Sequence, residues 1–202
     1  MKIVFKIIFP ALVALMVFAA PARADQVYYS SRDLLSDFFR TSKEVTYQKV
    51  HLDDVVLARV TQRLGYTPAH RDYTFYVATS NGIVDGYAFI DDEKGEHLPI
   101  TFAVKLSPTG KVMRQEVVVY REARGDEVRD ERFRAQFVGK GANDPIDVGA
   151  DITVVSGATI SSRAMAVGFK RAVVLFEELV KPTRIVSNSA RPSLVGGGRP
   201  AG

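Results

Sequence analysis

The chain has 202 residues, 47% hydrophobic and 25% charged, with 15 Gly, 9 Pro and neither Cys nor Trp; that composition excludes a collagen-like fibre and a chain disordered throughout. The absence of cysteine rules out a disulfide, a thiolate metal site, a thiol nucleophile, iron–sulfur ligation and a lipid-attachment box. The formal charge of +4 belongs mostly to Lys2, Lys6 and Arg23, since the 178 residues after Ala24 carry 24 basic against 23 acidic groups, and no like-charged block points to nucleic acid as a partner.

Residues 1–24 read as a secretory signal. Lys2 and Lys6 form a positive n-region, Ile7 to Ala20 an uncharged apolar run of 14 residues, and Ala22-Arg23-Ala24 a small-x-small cleavage site. The apolar run is short of the about 20 residues a bilayer span requires. Export with cleavage after Ala24, and hence a periplasmic location, is the expectation.

Ser30-Ser31-Arg32-Asp33 ahead of Leu34, Leu35, Phe38 and Phe39 has capping-box spacing followed by an i, i+4 apolar face, which predicts a short helix. A strand is predicted over Val45 to Leu52. Asp53 then caps a second helix carrying Val56, Leu57, Val60 and Leu64, with Gly65 at its C′ position. From Tyr73 the period becomes two, and Asn81-Gly82 separates Tyr73–Val77 from Ile83–Ile90 as a hairpin. Strands at Ile100–Leu106 and Val112–Tyr120, joined by Ser107-Pro108-Thr109-Gly110, complete an antiparallel meander. The charged stretch Arg124 to Phe137 predicts an exposed helix or loop, and Gly139 to Ala150 a loop. Ile152 to Val155 predicts a short strand, Ser156 to Thr159 a sharp turn, and Ser161 to Val180 a helix with Met165, Phe169, Ala172, Phe176 and Leu179 on one side. After Lys181-Pro182 the composition turns to Ser, Gly, Pro and Arg, which reads as a disordered tail. The fold class that follows is α+β, an antiparallel sheet packed with helices.

The chemistry concentrates at the turn before the last helix. Small residues there let backbone approach a ligand, and the first N–H groups of a helix favour a phosphate. The chain has no G-x-G-x-x-G and no G-x-x-x-x-G-K-[ST]. Thr159, Ser161 and Ser162 cluster their hydroxyls at this turn with Arg163 behind them, so the site either binds a phosphate or is esterified to one. Helix capping by Thr159 or Ser161 is the plainer alternative. His97, between Gly95-Glu96 and Pro99, either contacts a ligand or stabilises a turn. His51 and His70 lack metal-like spacing, no metal is expected, and no catalytic acid–base constellation is visible.

The string Val155-Ser156-Gly157-Ala158-Thr159-Ile160-Ser161-Ser162 resembles the flavinylation motif of the FMN-binding domain family, typified by the C subunit of the sodium-translocating NADH:quinone oxidoreductase and the G subunit of the Rnf complex. The resemblance extends through Gly86-Tyr87, His97 to Val104, Tyr120-Arg121-Glu122, Gly125, Glu127-Val128-Arg129, Arg132-Phe133 and Gln136 to Lys140, covering roughly Asn81 to Val180. It implies FMN held by a phosphoester at Thr159, placed there by a flavin transferase that uses FAD, with Ser156, Gly157, Ala158, Ser161, Ser162, Arg163, Tyr120, Arg121 and Glu122 around the cofactor. It implies an electron carrier facing a membrane redox partner. The domain plan is then a signal at 1–24, an N-terminal helical segment at 25–72, an FMN-binding domain at 73–182 and a disordered tail at 183–202. One residue departs from the family pattern, because Thr153 stands where an Asp six residues before the modified Thr is usual. A noncovalent FMN module or a flavin-free docking module is the alternative, and a reductase with its own substrate pocket finds little support in the residues.

Overall fold

The computed structural model describes residues 25–181; the signal expected at 1–24 and the tail expected at 183–202 lie outside them. A six-stranded antiparallel sheet is the frame, its strands β1 (Gln26–Val27), β2 (Glu44–His51), β3 (Asp72–Ser80), β4 (Ile83–Lys94), β5 (Pro99–Leu106) and β6 (Val112–Tyr120) arranged in the order β1-β6-β5-β4-β3-β2. Helices α1 (Ser31–Phe38), α2 (Asp54–Leu64), α3 (Glu131–Ala135) and α4 (Thr159–Leu175) pack on it, which is the α+β class expected.

Local signals set most boundaries. Ser30 caps α1 by accepting from the Asp33 N–H, and Asp53 caps α2 by accepting from Val56. Gly65 ends α2 at φ 79°. Asn81 and Gly82 turn the β3–β4 hairpin at φ 52° and 76°, a pair of left-handed residues that suits a two-residue loop.

The sheet is covered unequally. On one face Leu34, Phe38 and Phe39 of the α1 region lie on Ala78, Ala88, Ala103 and Val118, small residues that let the helix sit close to the strands. The other face carries Phe75, Tyr87, Phe89, Phe102 and Val104 against Met165, Phe169, Ala172, Val173 and Phe176. Phe102 and Phe137 meet the Phe169 ring edge-on at centroid distances of 5.4 and 4.7 Å. Met165, Phe169, Ala172 and Phe176 are all buried, but so are Ala164, Ala166, Val174 and Leu175. Contacts with α2 as well as with the sheet mean that α4 is enclosed on more than one side, beyond the single stripe expected.

Four expectations are corrected. β4 does not stop at Ile90 but runs to Lys94, because Asp91 and Glu93 find a partner in Arg171 of α4. Arg124 to Phe137 is neither one helix nor a loop: it forms a 3₁₀ turn at Asp126–Arg129 and then α3, with Val128, Phe133 and Phe137 buried. Ile152 to Val155 is not a strand: it joins none of the six strands of the sheet, and Ile152 makes only an isolated parallel bridge to Val148. Its backbone groups are satisfied locally instead. The Asp147 carbonyl accepts from Ile152 N–H, the Gln136 amide clamps Thr153 on both sides, and Ser162 Oγ accepts from Val155 N–H. Finally, α4 starts at Thr159 rather than Ser161, and its last turn, Phe176–Val180, widens to a π-helix.

Candidate functional site

β6 ends at Tyr120 beside the N-terminus of α4, and the loop after it returns across that helix end. Three connections meet there: the β4–β5 turn at Gly95–Leu98, the segment Arg121–Gly125, and the turn Val155–Ala158. Together they bound a cleft of ≈310 Å³ lined by Glu96, Glu122, Arg124, Gly125, Gly157, Ala158, Thr159, Ile160 and Ser161. That volume is at the lower end of the range of about 300–1,000 Å³ found for small-molecule sites.

The Val155–Ala158 turn is closed by the Ala158 N–H donating to the Val155 carbonyl at 3.0 Å, with Gly157 at φ 83°. Ala158 then starts α4 without any side-chain cap, and no acidic residue stands in the first turn. The leading N–H groups of a 17-residue helix therefore open toward the cleft without a protein acceptor among the described residues. This is an arrangement that accepts an anion.

The three hydroxyls at this helix start have different fates. Tyr120 carries one phenolic hydrogen, and donates it to the Arg124 carbonyl. Ser161 Oγ, 2.8 Å from the same phenolic oxygen, is left to donate to it. Ser162 Oγ accepts from the Val155 N–H at 3.1 Å. Ser161 and Ser162 are buried and committed, whereas Thr159 is exposed and has no hydrogen-bond partner among the described residues. Burial pushes the Tyr120 phenol above its ordinary value, so it stays neutral and keeps the proton it donates.

The remaining expected site residues separate. Ser156 and Gly157 are exposed on the turn, Ala158 is buried at the helix start, and Arg163 is exposed one helical turn beyond Thr159. Glu122 reaches the cleft wall, but its Oε1 accepts from the N–H groups of His97 (2.6 Å) and Leu98 (2.8 Å). Burial opposes its ionisation, and these backbone donors outweigh burial and hold its carboxyl below the usual range. Glu122 thereby ties the β4–β5 turn to β6, and His97 serves that turn through its backbone while its side chain is exposed. Arg121 is not brought to the cleft. It follows Tyr120 in an extended segment, so it points to the opposite face, where it binds the Pro99 carbonyl, Thr101 and Asp25. Thr153 likewise lies outside the cleft, held by Gln136.

Four lining residues, Glu96, Arg124, Gly125 and Ile160, were not among the expected site residues, although Gly125 and Ile160 lay in the stretches that carried the resemblance. Gly125, at φ 98°, sits where a Cβ would fall on Ser161 Oγ and within 2.7 Å of Tyr120 Oη. A lone glycine between Arg124 and Asp126 in an otherwise charged stretch was the available signal. Arg124 is fixed by its backbone carbonyl, is exposed, and is one of the residues that line the cleft. Elsewhere a wider groove of ≈650 Å³ lies between α1 and β2, and the cluster of free N–H groups and hydroxyls is not there. Among the described residues no three His, Asp or Glu side chains assemble into a metal site.

Residues 95–174 match the model of the FMN-binding domain family, a stretch that opens in the β4–β5 turn, closes within α4 and contains every lining residue of the cleft. That stretch, 80 of the 202 residues, is therefore similar to an FMN-binding domain. Among solved structures it is similar to NqrC from Shewanella oneidensis, at 18% identity over 74% of this chain and 87% of that one, with a TM-score of 0.49. The C subunit of the Na(+)-translocating NADH-quinone reductase from Parabacteroides distasonis aligns at 17% identity over 75% and 84% of the two chains, with a TM-score of 0.46. No curated protein matches the chain.

Proposed function

We propose that this protein is an exported electron carrier in which FMN is esterified through its phosphate to Thr159, and that it passes electrons between a membrane redox partner and a further acceptor. One observation carries the covalent part of the reading: of three hydroxyls at the start of α4, Thr159 alone is free of a partner among the described residues and opens to solvent at the cleft. The residues present fit the group. The uncapped N–H groups of α4 receive a phosphate, and the absence of an acid in the first turn leaves that end of the helix dipole unopposed. When bound, the isoalloxazine ring supplies one- and two-electron transfer.

A threonine hydroxyl is a weak nucleophile without a base. Among the described residues no carboxylate or imidazole hydrogen-bonds to Thr159, so the proton acceptor has to come from a flavin transferase. FAD is the donor in that step. Thr159 Oγ1 forms a bond to the flavin-side phosphorus as the pyrophosphate bond breaks, and AMP leaves. The rest of the site works as scaffolding: Tyr120 and Ser161 hold the Arg124–Gly125 loop against α4, and Ser162 holds the turn that presents Thr159.

Coexpression with a flavin transferase, denaturation and intact-mass measurement test this. Wild type is expected to retain FMN after denaturation, Thr159→Ser to retain some, and Thr159→Ala none, while Ser161→Ala and Ser162→Ala are still labelled. Label on Thr159→Ala refutes the assignment. A wild-type chain that binds flavin but loses it on denaturation favours a noncovalent FMN module, a reading supported by Thr153 standing away from the cleft in place of the family's Asp.

A further inference from the structure

The cleft is rich in carboxylates. Glu96 and Glu122 line it, and Glu127 Oε1 stands 3.9 Å from where a Cβ on Gly157 would lie. A phosphodiester anion at Thr159 has to be stabilised against them, and screening by water is reduced in a recess. Most arginines have other duties. Arg121 binds Asp25, Arg134 binds Glu116, Arg171 binds Asp91 and Glu93, and Arg129 stacks on Tyr28 at 3.4 Å. Among the described residues Arg32, Arg124, Arg132 and Arg163 have neither a carboxylate nor a ring partner. Of these four, Arg124 alone lines the cleft with Thr159.

Arg124 is also placed with unusual care for an exposed residue. Its carbonyl accepts from Tyr120, and the next residue, Gly125, is wedged against Ser161 Oγ and Tyr120 Oη. The backbone thus serves the fold, and the side chain is left without a structural task. Resting on the reading that Thr159 bears the flavin, we propose that the Arg124 guanidinium is the phosphate-binding group of this site. It pairs with the flavin-side phosphate of FAD while Thr159 Oγ1 bonds to phosphorus, the bridging P–O bond breaks, AMP departs with the bridging oxygen, and the hydroxyl proton passes to a base of the transferase. Afterwards it pairs with the phosphodiester. A planar guanidinium fork matches two phosphate oxygens at once, whereas lysine supplies only a point charge.

The test uses the full chain, purified unlabelled and then treated with a flavin transferase and FAD, with labelling followed by intact mass and the ester observed by ³¹P NMR. Arg124→Gln is expected to melt as wild type does, because only an unpartnered exposed side chain changes, yet to be labelled about tenfold to a hundredfold more slowly, the loss of one charge-assisted hydrogen bond. Arg124→Lys should recover part of the rate, and Arg32→Gln, on α1, should be labelled at the wild-type rate. The ³¹P resonance of labelled Arg124→Gln should move from its wild-type position, and that of Arg124→Lys should move less. Labelling of Arg124→Gln at the wild-type rate overturns the proposal, as does equal slowing in Arg32→Gln. A slower rate with an unmoved ³¹P resonance overturns it too, because that pattern belongs to docking of the transferase. If Thr159→Ala is labelled, or wild type never is, the Thr159 reading itself has failed, which is a different result from any of these.

Discussion

Replacing Gly125 with alanine tests whether the cleft wall is as tightly built as its geometry implies. Two costs add. The residue sits at φ 98°, a region that disfavours any side chain by about 1–2 kcal/mol. A methyl group there would also fall on Ser161 Oγ and approach Tyr120 Oη to 2.7 Å, and overpacking of this kind costs about 1–3 kcal/mol. A total of about 2–5 kcal/mol is expected, which for a chain of this size lowers Tm by about 5–20 °C. Gly82→Ala is the control. Gly82 has nearly the same kind of backbone, φ 76°, with nothing within 4 Å of a Cβ, so it bears the conformational cost alone. Thermal unfolding followed by circular dichroism compares them. If Gly125→Ala melts within about 2 °C of Gly82→Ala, the close packing of Gly125 against Ser161 and Tyr120 is refuted.

Gly157→Val should abolish flavin labelling while lowering stability only modestly: the turn requires φ 83°, but the space around it is open. Labelling equal to wild type would show that this turn does not shape the site. Glu122 has a folded-state pKa below its unfolded value, so its stabilisation is fully present above about pH 4.3 and is lost as pH falls through the lowered folded pKa. The stability difference between wild type and Glu122→Gln, measured by urea titration across pH, should therefore shrink on acidification; a constant difference would contradict this. Arg171→Met should cost about 3–5 kcal/mol in urea unfolding, because it strands the partly buried Asp91 and Glu93 without a cation.

Features set by neighbours in sequence were legible there. The caps at Ser30 and Asp53, the stop at Gly65 and the Asn81-Gly82 turn each depend on a few adjacent residues, and each formed where expected. What the sequence concealed depends on distant partners. The acidic end of β4 looks like a loop until Arg171, 80 residues on from Asp91, is brought beside it. Ile152 to Val155 has the apolar character of a strand, but its backbone is engaged by the Asp147 carbonyl, the Gln136 amide and Ser162 Oγ, partners that only the folded chain brings together. At the site, the turn and its hydroxyls were readable, but which hydroxyl stays free depends on Tyr120, 41 residues before Ser161. The outward turn of Arg121 was open to inference, since a period of two sends it away from the face Tyr120 occupies. Arg124 was not, because its position follows from a carbonyl bond and a glycine rather than from any pattern.

The short strand β1 pairs Gln26 with Tyr120 and Val27 with Val119, Asp25 holds Arg121, and the Tyr28 ring carries Arg129 of the 3₁₀ turn. The leading segment of the described chain is thus fastened to the residues that frame the cleft. Mechanically it is a tether attached at the working end. A pull on the chain ahead of Asp25, whether from a membrane, a surface or a laboratory bead, would reach β6 and the 3₁₀ turn before any load crossed the meander to β2. Cutting or lengthening the chain between Asp25 and Tyr29 should accordingly be felt at Thr159 well before it is felt by the fold.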